Sequence, residues 1–172
     1  VSVSADSVRI LSNLINPASG ANGIQVVAAS GNKASTNINN NTISGANANN
    51  GIGISFAASL YAYRITGNEV QGFATAVKVL DGYSTISGNT LTGQTTGLDV
   101  TAANFWVVVS GNLIAGPTNS LLHNSGNAAI YTGNRFDNAA GVYQAPTISA
   151  GNPVIIGQDG GNILLTTTGN SV

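Results

Sequence analysis

The sequence predicts an all-β fold, a right-handed single-stranded parallel β-helix of about seven coils, and three observations carry that prediction. An eight-residue phrase, Ile65-Thr66-Gly67-Asn68-Glu69-Val70-Gln71-Gly72, returns as Ile86 to Gly93, as Val109 to Gly116 and as Ile38 to Gly45, with looser copies at Ile10 to Pro17 and Tyr131 to Asn138. Its asparagines, Asn13, Asn41, Asn68, Asn89, Asn112 and Asn134, are separated by 28, 27, 21, 23 and 22 residues. Such a period marks a solenoid, in which each repeat is one turn of backbone stacked on its neighbour. Charged residues make up only 6% of the chain, against about a quarter in ordinary soluble proteins. The surface must therefore come from Asn, Ser, Thr and Gly, as stacked strands joined by turns require.

The elements follow in order. Val1 to Ser4 alternates as a strand that finishes a preceding turn. The first coil begins near Val8, with Ile10 and Ile15 flanking Asn13; Pro17 to Gly23 is a turn cluster, and Ile24-Gln25-Val26 is the next strand. The second coil repeats the plan, with Ile38 and Ile43 around Asn41 and Gly51-Ile52-Gly53-Ile54 as its later strand. From the third coil the loop after the phrase shortens, which explains the fall in period. Val77-Lys78-Val79, Leu98-Asp99-Val100 and Leu121-Leu122-His123 then take the place of Ile24-Gln25-Val26. Strand alternation sends Gln25, Gly53, Lys78, Asp99 and Leu122 outward. His123 stands at an inward position, which suggests a register slipped by one. A third apolar stretch precedes each phrase, at Leu60 to Tyr63, Tyr83, Phe105 to Val107 and Ala128 to Ile130, giving three strands per turn. Coils are expected over 1–138, with 139–172 as irregular or tighter terminal coils of the same domain.

The phrase itself reads as geometry. Gly and Asn tolerate the left-handed backbone that a sharp bend demands. On coils stacked about 4.8 Å apart, the asparagine amides can bond one another as a ladder, satisfied by repetition. Apolar residues three before and two after each Asn predict two inward stacks. One holds Ile10, Ile38, Ile65, Ile86, Val109 and Tyr131; the other holds Ile15, Ile43, Val70, Leu91, Ile114 and Phe136. Burial of these stacks is the main source of stability.

Composition narrows the function. A net charge of −1 with five Lys plus Arg leaves no basic stripe for nucleic acid or an anionic membrane. No stretch has the length and unbroken apolarity of a membrane span, and no signal peptide is evident at the start. Without cysteine there are no disulfides or thiolate sites, and the single histidine argues against a polyhistidine metal centre, so no cofactor is expected. The lack of methionine suggests an excised piece of a longer protein.

The Asn turn ladder, aliphatic stacks and Ser/Thr-Gly-Asn phrases, over roughly Val8 to Asn138, resemble the right-handed parallel β-helix families typified by pectate lyases and phage tailspikes. The resemblance implies an extracellular or virion-surface protein with a polysaccharide bound along the outside of the stack, and in some members lyase, hydrolase or epimerase activity. The catalytic signatures of pectate lyases, polygalacturonases and alginate epimerases are not found. The chain looks like a segment of such a protein, because it lacks the amphipathic helix that often caps the N-terminal end.

Candidate site residues lie in columns where the repeats disagree. Glycoside cleavage commonly uses two carboxylates, and Asp99 with Asp81 one coil earlier is the pair on one face. Lys78 or His123 beside Asp99 could instead serve β-elimination of a uronic acid, with Lys78 as base and Asp99 neutralising or orienting. The plainer reading of the same column is a surface ion pair between Lys78 and Asp99, and Asp81-Gly82 reads as an ordinary turn. Tyr83 and Trp106 each lie six residues before their coil's Asn, so they stack on adjacent coils, as a platform for a sugar face or an interface anchor. Arg9 and Arg64 share an outward column. Catalytic candidates are therefore Asp99, Asp81 and Lys78, and substrate-binding candidates Tyr83, Trp106 and His123. Two function classes stay open: a tailspike-like or secreted segment that binds or also depolymerises an extracellular polysaccharide, and a non-catalytic shaft or homotrimerisation module of a spike or fibre.

Overall fold

The computed structural model describes residues 1–4, 7–27, 35–46, 51–56, 62–80, 83–101, 106–124, 129–138, 140–150 and 154–156. The chain enters on β1 (Ser2–Ser4) and then winds through β2 (Ser7–Leu11), β3 (Leu14–Ile15) and β4 (Ile24–Val27). The next pass is β5 (Ser35–Asn39), β6 (Thr42–Ser44) and β7 (Ile52–Phe56). In the following two passes the second and third strands fuse: β8 (Ala62–Thr66) leads to β9 (Glu69–Lys78), and β10 (Tyr83–Ser87) leads to β11 (Thr90–Asp99). Then come β12 (Val107–Ser110), β13 (Leu113–Ala115) and β14 (Asn119–Asn124), followed by β15 (Ala129–Thr132), β16 (Arg135–Asp137), β17 (Thr147–Ala150) and β18 (Val154–Ile156).

All pairings between these strands are parallel and join one pass to the next. One sheet stacks seven strands in the order β18-β15-β12-β10-β8-β5-β2, and the other, of eleven, carries the remaining strands of each pass. The protein is a parallel β-solenoid, and no helix occurs among the described residues. Both predicted stacks are in register. Ile10, Ile38, Ile65, Ile86, Val109 and Tyr131 are successive partners, as are Ile15, Ile43, Val70, Leu91, Ile114 and Phe136. Nearly all are fully buried, and Ile15 at the N-terminal end is partly so.

The bend between the two sheets repeats one backbone device. The residue before each ladder asparagine has positive φ: Ser12 (54°), Asn40 (56°), Gly67 (64°), Gly88 (62°), Gly111 (62°) and Gly133 (58°). The left-handed residue is thus the one preceding the Asn, which explains why glycine holds that place in four of the six copies. Each asparagine then spends its amide on its neighbours. Asn68, for example, donates its backbone N–H (2.8 Å) and its Nδ2 (3.0 Å) to Oδ1 of Asn89. Its Nδ2 also meets the carbonyls of Ile38 on the preceding coil and Thr66 on its own. The same set recurs at Asn41, Asn89 and Asn112.

Two expectations are corrected by the register. The outward column beside Gln25 is occupied in the second coil by Ser55 and not by Gly53, because Gln25 pairs with Ser55 and Ser55 with Lys78. Gly53 instead faces inward, where a Cβ would come within 2.3 Å of Val70 Cγ1 and 2.5 Å of the Ala76 carbonyl. The coil closes there only without a side chain. His123, in turn, involves no slip against the preceding coil, where Leu121 pairs with Leu98 and Leu122 with Asp99; the irregularity lies toward the following coil, where the register with β17 shifts between His123 and Asn124.

Candidate functional site

The outward column Gln25-Ser55-Lys78-Asp99-Leu122 brings together two of the predicted site residues. Lys78 Nζ lies 3.3 Å from Asp99 Oδ2, across adjacent strands that pair these residues directly. The other carboxylate oxygen, Oδ1, accepts from the Thr101 backbone N–H (2.9 Å) and the Thr101 hydroxyl (2.6 Å). Asp99 is buried at 8% exposure. Both of its oxygens are thus committed to partners within the fold, one of them closing a turn two residues on. Asp81 lies outside the described residues. The acids Asp99 and Asp137 each hold a cation, the latter Arg135 at 2.7 Å. Among the described residues, no three His, Cys, Asp or Glu side chains gather as a metal site.

His123 sits inside the coil at 1% exposure, in the inward place held by Val100 one coil earlier. Its Nδ1 is 2.8 Å from the Tyr131 hydroxyl, and the two rings meet edge to face. Burial pushes the Tyr131 phenol above its ordinary value, so the hydroxyl keeps its proton and can donate to the imidazole. The pair satisfies two polar groups in the core. It does not reach the outer face.

Tyr83 and Trp106 do. They are 45% and 56% exposed, unusual for large rings, and the Ser84 N–H donates to the Trp106 carbonyl at 3.1 Å, which places the two residues on adjacent coils. Ser84 next to Tyr83, and Val107 next to Trp106, point inward and pair directly. Alternation then turns the rings outward. Beside them runs a second outward column, Arg9-Asn37-Arg64-Thr85-Val108. The space between these columns forms an open groove of about 270 Å³ lined by Ala62, Arg64, Tyr83, Thr85, Trp106 and Val108, among others. Ala62, paired with Tyr83, leaves the floor low where a larger residue would fill it.

Arg64 and Thr85 are not among the binding residues the sequence suggests, although its alternation puts Arg64 on an outward column. The available signal was their common offset: each follows the position of Ala62 or Tyr83 by two residues on the same strand, which puts them beside the rings on one face.

A scan against protein-family models finds no match to the chain, and comparison with curated proteins and with solved structures finds none either.

Proposed function

We propose that this solenoid is a segment of an extracellular or virion-surface protein that binds a polysaccharide along its outer face, with Tyr83 and Trp106 as the platform. The observation that supports this reading is the groove in which both rings stand exposed on adjacent coils. An aromatic face offers a sugar ring a flat apolar surface, and the flanking Thr85 hydroxyl and Arg64 guanidinium supply the few polar groups that orient a ligand. Rigid strands hold the rings about one strand spacing apart, so little order is lost on binding. The role proposed is binding. The carboxylate of Asp99, held by Lys78 and Thr101, serves the fold.

Trp106→Ala is expected to weaken polysaccharide binding about tenfold, or ~1.4 kcal/mol, while leaving the unfolding midpoint unchanged because the ring is more than half exposed. Affinity electrophoresis against a panel of capsular and pectic polysaccharides, run beside sedimentation, checks this. Equal retention of wild type and Trp106→Ala would remove the platform. A trimer that binds none of the polysaccharides would favour the shaft class instead.

A further inference from the structure

Building on the reading that the ring-lined groove takes a saccharide, we infer that its ligand is an anionic polysaccharide whose acid groups recur on alternate sugars. Among the described residues lining the groove, Arg64 is the one that is charged and none is a carboxylate. Among the described residues, the ion pairs engage Lys78 with Asp99 and Arg135 with Asp137, which leaves Arg64 and Arg9 outside them. Both arginines are exposed. A planar guanidinium binds carboxylate or sulfate through two parallel N–H bonds, so an arginine without an acid partner beside a sugar platform selects for such groups.

The spacing narrows the ligand further. Arg9 pairs with Asn37 and Asn37 with Arg64, so the two cations share one column with a neutral residue between them. Two strand spacings separate them, about 9.6 Å along the stack. That is the reach of two linked pyranose rings, so a chain lying along the axis presents an acid to each arginine when every second sugar is charged. Asn37 then faces the neutral sugar. On the next two coils the rings of Tyr83 and Trp106 stand in the adjacent column, beside Thr85 and Val108.

Isothermal titration of the intact chain with four probes tests the inference: hyaluronan, with carboxylates on alternate sugars; keratan sulfate, with sulfates and no carboxylates; polygalacturonate, acidic at every sugar; and neutral dextran. Tightest binding is expected for hyaluronan or keratan sulfate, and the one retained identifies the acid group. Arg64→Gln and Arg9→Gln should each weaken it by roughly three- to tenfold, and added salt should weaken it in wild type. Dextran bound as tightly as the acidic probes, with Arg64→Gln unchanged and Trp106→Ala impaired, would overturn the anionic assignment while leaving the saccharide reading in place. Polygalacturonate bound tightest would overturn the alternate spacing. Loss of no binding in Trp106→Ala, or no binding to any probe, would overturn both readings together.

Discussion

Asn89→Ala is expected to lower the unfolding free energy by about 4 kcal/mol, a large share of the 5–15 kcal/mol that typically holds a domain together. The substitution removes an acceptor that takes two N–H groups from Asn68. It also removes the amide that Asn89 shares among the Ile65 carbonyl (2.8 Å), the Ser87 carbonyl (3.1 Å) and Asn112 Oδ1 (2.9 Å). Asn89 is 2% exposed, so water cannot easily replace these partners. Asn89→Asp is informative beside it. The aspartate keeps an acceptor for Asn68 but turns its second oxygen toward three acceptors. Burial and those neighbours raise its folded-state pKa above the unfolded value of about 3.9. The penalty is therefore full above the folded pKa and relieved as pH falls through it. Denaturation of Asn89→Asp near pH 4 should give a higher midpoint, relative to wild type, than near pH 7. A variant equally stable at both would show that the side chain does not face the carbonyls.

Phe73→Ala is expected to cost about 3–5 kcal/mol. Phe73 is fully buried where β9 turns the corner between its two halves. Its ring lies 3.1 Å from the positions that Cβ atoms would take at Gly23 and at Gly53. Neighbouring coils have thus given up side chains where this ring sits. Neither glycine has a side chain to move into the space the ring leaves, so a cavity is expected to persist. Urea titration followed by circular dichroism measures the loss, and a midpoint shift below about 1 kcal/mol equivalent would mean the corner repacks.

These two residues mark how far the sequence could be read. The ladder and both aliphatic stacks were legible because the phrase around each asparagine keeps a fixed length, so counting three back or two forward finds the next partner. The corner was not. Offsets counted from Asn41 cross a loop whose length differs from that of its neighbours, and so they put Gly53 where Ser55 stands. Phe73 carries no repeat signal at all, because its counterparts in other coils are not aromatic. His123 was legible only in part: a histidine in an apolar column reads as a register slip, whereas the shift lies only toward the following coil and Tyr131 takes up its Nδ1 inside the core. Of the candidate site, the Tyr83 and Trp106 rings were legible from a shared offset, and the Lys78–Asp99 ion pair from a shared column. The engagement of Asp99 by Thr101 was not, since a side chain's choice of local backbone partner leaves no periodic trace.

The central structural claim is that one asparagine amide column runs through the successive coils, and scalar coupling across its hydrogen bonds tests it without any substitution. In uniformly 15N,13C-labelled protein, a long-range coupling is expected from the backbone nitrogen of Asn41 to Cγ of Asn68, from Asn68 to Asn89, from Asn89 to Asn112 and from Asn112 to Asn134. These four amides should also be among the slowest to exchange. Couplings absent at all four steps, with amides that exchange as fast as loop positions, would contradict the ladder and the stacking register built on it.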